Sequence, residues 1–190
     1  MIEICWHGRG GQGGKTASIL LAKIFSATGL YVQAFPEYGP ERMGAPVVSY
    51  TRLADQPIHQ HCQIERADYI IILDPTLIDM LDFNTGIARG GKIVLNLAED
   101  YNVSELKSKL EDNIEVYAID ADNISEEELG RIFPNIAMMG AFNKIAGLIK
   151  SEDFFKMAEY EFQKKFRSRK KIIAGNMRSL QRAADEVKII

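Results

Sequence analysis

Gly8-Arg9-Gly10-Gly11-Gln12-Gly13 satisfies G-x-G-x-x-G, directly after a β-branched run and opening a helical stretch. In that setting backbone N–H groups and the positive end of the helix dipole make an anion site suited to phosphate. A dinucleotide needs in addition an acid about 20 residues on, at the end of the second strand, for its ribose hydroxyls. That region reads Val32-Gln33-Ala34-Phe35, with Glu37 only beyond a proline, so NAD binding is unsupported. Gly13-Gly14-Lys15-Thr16 invites comparison with the nucleoside-triphosphate loop G-x-x-x-x-G-K-[ST]. Counting back five from Gly14 reaches Arg9 rather than glycine, and the register fails by one residue. Asp74, at the end of an apolar run, resembles a magnesium-binding strand end, but Asp-Pro is first a helix cap and turn. The cluster of glycines exceeds what a tight turn requires, so an anion held by backbone amides is expected.

Pro36–Pro46 follows the second strand and holds three prolines and two glycines, which no regular element accommodates. In an open parallel sheet it emerges at the same carboxyl edge as the glycine loop. Arg42 there could offer a phosphate its planar fork of donors, or pair locally with Glu37 or Glu41. His59, His61 and Cys62 alternate but lack a fourth ligand, so a surface loop is expected rather than a metal site. His7 is expected to bond a loop carbonyl. The basic run Lys164–Lys171 is read as a solvated face or as a docking site for an acidic neighbouring subunit, since no nucleic-acid motif accompanies it.

The elements that must position these residues alternate over the first 120 positions. Strands are expected at Met1–Trp6, Tyr31–Phe35, Val47–Leu53, Asp68–Leu73, Lys92–Leu97 (after Gly90-Gly91) and Glu115–Ile119. Helices are expected at Lys15–Thr28 and Thr76–Leu81. This alternation predicts an α/β fold, three layers (α/β/α) around a mainly parallel sheet. After residue 120 only helices are expected. Ser125-Glu126-Glu127-Glu128 places acids at a helix start, Pro134–Lys150 is a long buried helix, and Ser151–Phe166 and Lys171–Val187 form a helical C-terminal extension, about 151–190. No linker divides residues 1–190, so a single domain is expected.

Composition fits an ordinary globular chain: 190 residues, 46% hydrophobic, 26% charged and a net charge of −3. The mild acidity gives no general attraction to nucleic acid or anionic membrane. Cys5 and Cys62 are too few for an iron–sulfur cluster, which takes about four thiolates, and they fit a reducing, cytoplasmic setting. Met1-Ile2-Glu3-Ile4 carries no signal-peptide pattern, and Ile70–Leu73 is far short of a membrane span.

His7-Gly8-Arg9-Gly10-Gly11-Gln12-Gly13, Ala34-Phe35-Pro36 and Gly39-Pro40-Glu41-Arg42-Met43-Gly44-Ala45-Pro46 together resemble the gamma subunit of 2-oxoacid:ferredoxin oxidoreductases, the pyruvate type above all. Asp74-Pro75-Thr76-Leu77 and Asn135-Ile136-Ala137-Met138-Met139-Gly140-Ala141 look like the same family. Lys15-Thr16 departs from it, since small apolar residues are usual after the glycine loop. The resemblance implies that such enzymes convert pyruvate, coenzyme A and oxidised ferredoxin or flavodoxin to acetyl-CoA, carbon dioxide and reduced carrier. It implies alpha and beta subunits that hold thiamine diphosphate, iron–sulfur clusters in beta and delta, and a gamma subunit that helps bind coenzyme A. The expected contacts are Gly8, Gly10, Gly11, Gln12 and Gly13, with Arg42 as charge partner and Asn135 at the start of the long helix. Asn135 could equally serve only the helix-initiating turn. No catalytic residue and no metal ligand is expected on this chain. The alternatives are a gamma-type subunit for 2-oxoisovalerate, 2-oxoglutarate or indolepyruvate, a nucleotide-dependent ATPase or switch using Lys15 and Thr16, and a purely structural subunit.

Overall fold

A computed structural model describes residues 1–37, 44–98, 101, 103–108, 110, 113–167 and 169–190. Its strands are β1 (Ile2–Arg9), β2 (Tyr31–Pro36), β3 (Pro46–Ala54), β4 (Ala67–Ile72), β5 (Ile87–Asn96), β6 (Glu115–Ile119) and β7 (Lys188–Ile189). They form one sheet in the order β2-β3-β1-β4-β5-β6-β7. β1, β4, β5 and β6 pair in parallel. β3 lies antiparallel between β2 and β1, and β7 closes the far edge antiparallel to β6. The fold class is therefore the expected α/β, a sheet parallel at its centre with antiparallel flanks. β2 runs in the same direction as β1, so its end at Pro36 and the start of β3 at Pro46 lie at the carboxyl edge of β1.

The apolar run predicted to be buried on both faces is so in β4: Ile71 packs into one core, Ile70 and Ile72 into the other. The two faces are covered unequally. On one lie α1 (Gly14–Ser26), α5 (Asn135–Ala146), α6 (Ser151–Phe166) and α7 (Lys170–Glu186), with α4 (Ala121–Leu129) beside them. The other is covered by the 3₁₀ turn Pro75–Met80, the short helices α2 (Phe83–Gly86) and α3 (Ser104–Ser108), and the segment leading into β4. Arg52, 1% exposed, fastens that segment to the sheet. Its guanidinium pairs with Glu3 at 2.7 Å and donates to Gln33 Oε1 and the Gln63 carbonyl. A buried cation needs such saturation.

Two local expectations are corrected. Gly90-Gly91 does not precede β5 but lies within it, at a register irregularity against β4, where Gly90 has φ 76°. A Cβ on Gly91 would fall 2.5 Å from Ile87 Cγ1. Glu126, Glu127 and Glu128 do not start their helix. α4 begins five residues before Glu126, because Asp120 caps it and Asn96 Oδ1 accepts from the Ala121 and Asp122 amides. The acids therefore fall in the last turn, where the dipole disfavours them, and α7 compensates. Arg182 reaches Glu127 and Glu128, and Arg178 reaches Glu128. α6 and α7 form the expected helical C-terminal extension. Phe154, Ala158, Phe162, Leu180 and Ala183 are fully buried in the same core as Trp6 and Ile4 of β1.

Candidate functional site

β1 continues three residues past its expected end, so the chain turns only at Gly10. Gly11 and Gly13 have φ 106° and 84°, a region that strains any L side chain. At Gly13 there is also no room: a Cβ would lie 2.6 Å from Asn135 Nδ2 and 2.9 Å from Phe133 Cζ. Gly13 is the N-cap of α1 and no side chain caps the helix. The first amides of a helix lack intrahelical acceptors and carry the positive end of its dipole. This end of the turn suits an anion.

The side chains of Arg9 and Gln12 are occupied within the protein. Gln12 Oε1 accepts from the Arg9 amide at 2.7 Å, and its Nε2 donates to Asp74 Oδ2 at 2.7 Å. Arg9 donates through Nε and Nη2 to Thr76 Oγ1 at 3.1 and 2.7 Å, and through Nη1 to the Gly44 carbonyl at 3.1 Å. Its Nε also stands 3.4 Å from Asp74 Oδ2. Asp74 caps the 3₁₀ turn, its Oδ1 accepting from Thr76 N and Oγ1 at 3.0 and 2.5 Å. Burial alone would raise its carboxyl, but the bonds from Thr76 and Gln12 and the Arg9 charge outweigh it and hold the pKa below the ordinary range. Asp74 is thus the cap and turn residue expected from Asp-Pro, fully engaged within the protein.

The second loop docks on the first. The Gly10 amide donates to the Ala45 carbonyl at 2.9 Å, and the Gly44 amide to the Gly10 carbonyl at 3.1 Å. Arg42 lies outside the described residues, as does the rest of 38–43. Asn135 does not cap its own helix: its Nδ2 donates to the Gly13 carbonyl at 3.2 Å across 122 residues of sequence. The side chain is fully buried, and its Oδ1 has no partner among the described residues. Gly8 sits under the turn, its Cα hydrogen directed at Gln12 Oε1 and Leu73. Gly8, Gly10, Gly11, Gln12, Gly13 and Asn135 therefore form one contiguous unit. Within it Gln12 and Asn135 brace the backbone.

His7 differs from its expectation. Its ring has no hydrogen-bond partner among the described residues and lines a cavity of about 110 Å³ with Cys5, Tyr50, Ile70, Leu81 and Phe83, beneath the turn. Burial lowers its pKa to about 4, opposed by the charge of Glu37, so the imidazole is neutral at pH 7. His59, His61 and Cys62 lie exposed, with Gln33 Nε2 3.2 Å from His61 Nδ1. Burial pushes the Cys5 thiol up to about 12. One inert buried thiol and one exposed thiol do not fit a cluster, and no step through one is assigned to this chain. Among the described residues no helix is long and apolar enough to cross a membrane.

Sequence reasoning missed Arg9 and Thr76. The signal was available: Thr76 follows Asp-Pro at the end of a strand, and Arg9 is the one charged side chain in the turn.

With this geometry in place, comparison with known proteins is specific. The family model described as pyruvate ferredoxin/flavodoxin oxidoreductase matches residues 3–186. The chain is 41% identical to pyruvate synthase subunit PorC of Methanothermobacter thermautotrophicus over 162 residues, 85% of this chain and 86% of that one. It superposes on the crystal structure of pyruvate oxidoreductase subunit PORC from Thermotoga maritima with a TM-score of 0.81 and 32% identity, over 99% and 97% of the two chains. It also superposes, with a TM-score of 0.73 and 17% identity, on 2-oxoglutarate:ferredoxin oxidoreductase from Magnetococcus marinus, whose structure holds 2-oxoglutarate, coenzyme A and succinyl-CoA. That likeness covers 97% of this chain but 30% of the larger one, and carries the fold alone.

Proposed function

The chain belongs to the pyruvate ferredoxin/flavodoxin oxidoreductase family, and from that premise we propose that its glycine loop holds coenzyme A for an active centre completed by partner subunits. It is the gamma subunit of a pyruvate synthase, an enzyme that joins the acetyl group of pyruvate to coenzyme A, releases carbon dioxide and passes two electrons to a carrier protein. Thiamine diphosphate and the clusters would sit on the alpha, beta and delta partners, with ferredoxin or flavodoxin as acceptor. The choice of 2-oxoacid would then lie there too.

One observation carries the reading: a turn fixed from below by Gln12, Arg9 and Asp74 presents the uncapped start of α1 at the carboxyl edge of the sheet. A coenzyme A phosphate there would accept from backbone amides with little reorganisation. Arg42, on the docked loop, would add charge. The pantetheine arm could then extend toward a partner subunit and carry its thiol to the acyl group. The ATPase alternative is not favoured, because the carboxylate that would hold magnesium, Asp74, already serves Thr76, Gln12 and Arg9.

Gly14→Asp tests this cleanly. A Cβ at Gly14 meets only Leu73 Cδ1, at 4.0 Å, and an acid in the first helical turn favours the dipole, so the variant should fold with unchanged or higher Tm. The same carboxylate would repel a phosphate. In the assembled enzyme the KM for coenzyme A should rise at least about tenfold, roughly 1.4 kcal/mol, with the KM for pyruvate unchanged. Arg42→Ala should act in the same direction. An unchanged KM for coenzyme A in both variants would overturn the assignment in favour of a purely structural subunit.

A further inference from the structure

α1 and α6 do not close against each other along their whole length. Between them runs a groove of about 900 Å³, floored in part by the core residues Leu20 and Ile24. Its floor is apolar, with Ile19, Leu20 and Ile24 from α1 and Met157 from α6. Its walls carry Lys23 from α1 and Lys156, Lys164 and Lys165 from α6. Tyr160, 59% exposed, stands among them, with Lys164 Nζ 4.0 Å from its ring centroid. Two carboxylates serve these lysines within α6: Glu161 at 2.8 Å from Lys164, and Asp153 at 4.0 Å from Lys156. The groove remains net positive in a chain whose total charge is −3. Lys23 and Lys165 face each other closely enough that, added to partial burial, the charge of Lys23 lowers the pKa of Lys165.

We propose that this groove is the docking site for an acidic amphipathic helix of a neighbouring subunit, an inference that rests on the reading of the chain as one subunit of a larger enzyme. The two walls are helices whose lining residues recur every three or four positions: Thr16, Leu20 and Lys23 on α1, with Ala27 at its C-cap, and Lys156, Tyr160 and Lys164 on α6. Such ridges take a third helix in the groove between them. An apolar stripe on that helix would cover Ile19 and Met157, while flanking Asp and Glu would meet the rim lysines, as flanking charges do in coiled coils. An incoming carboxylate would also relieve the repulsion between Lys23 and Lys165. A nucleic-acid strand fits less well, because the floor is aliphatic and one aromatic ring is all the groove offers for stacking.

The test uses the full chain co-expressed with its partner subunits. The variant Lys23→Glu/Lys156→Glu/Lys165→Glu is compared with Arg89→Glu/Lys107→Glu, a control outside the groove, after matching Tm values establish that both fold. Wild-type association should weaken with added salt. The triple variant should bind its partners at least tenfold more weakly at low salt, with a flattened salt dependence, and the control should match wild type. A triple variant that assembles like wild type at every salt concentration would overturn the inference while leaving the subunit reading intact. Loss of oligonucleotide retention with unchanged assembly would overturn it in favour of a nucleic-acid surface. Failure of the wild-type chain itself to assemble with oxidoreductase subunits would overturn the subunit reading, and this inference with it.

Discussion

His7 is one residue from the glycine loop yet faces away from it, because side chains alternate along a strand and the pleat directs position 7 to the thinly covered side of the sheet. Its folded pKa of about 4 lies below the ordinary 6.5. Between those values the unfolded chain binds a proton that the folded chain does not, so stability is full above pH 6.5 and falls as the pH drops toward 4. At 1.36 kcal/mol per unit this one group should remove roughly 3 kcal/mol over that window. Urea unfolding at pH 7 and pH 4.5 should record the loss, and His7→Gln should abolish most of it. A pH-independent stability in the wild type would contradict the placement of the ring. The glycine turn itself is legible in the sequence, since glycines at fixed spacing after a strand mark a βα turn. What could not be read was direction. The Gln12 side chain also braces the turn, through a partner, Asp74, that is remote in sequence and adjacent only once β1 and β4 pair.

Strand and helix positions were largely legible, and the misplaced boundaries share a cause: in each, a long-range partner decides where the element starts. Asn96 and Asp120 set the beginning of α4 and push its acids to the wrong end, where Arg178 and Arg182 meet them. The packing of α5 on α7 is another such feature. A Cβ on Gly140 would run into the Leu180 carbonyl, so glycine lets the two helices approach. Gly140→Ala should force them apart and destabilise the chain by about 3 kcal/mol, the upper range for overpacking against backbone. Thermal unfolding of the purified chain checks this. Gly29→Ala, at a positive-φ position with open space around it, isolates the effect of backbone strain and should cost about 1 kcal/mol.

At the scale of the molecule, the antiparallel insertion of β3 was invisible from local sequence, because a strand's pattern does not state its direction. The helical C-terminus is as expected, but its partners were not legible for a related reason: periodicity identifies a buried face and not what buries it. Phe154, Phe162 and Leu180 are fully buried, and together they contribute about 6 kcal/mol of hydrophobic stabilisation. That is comparable to the whole stability of a typical domain, about 5–15 kcal/mol. Removing residues 151–190 should therefore leave a chain without a cooperative thermal transition, one that binds a hydrophobic dye. A truncated form melting cooperatively near the wild-type Tm would show the helices to be dispensable.

The unequal covering of the sheet also bears on how the chain is made. The thin layer comes mostly from residues that emerge between the strands, so that side of the sheet lacks little but Ile190 once β6 is made. The thick layer other than α1 comes from α4 to α7, after every parallel strand. At about 5–20 residues per second, roughly 65 further residues mean about 3–13 s during which Trp6, Ile71 and Val94 face a ribosome-bound chain with much of their cover unmade. Nascent-chain chaperones have their natural substrate in that interval, on the side that the finished protein buries most deeply.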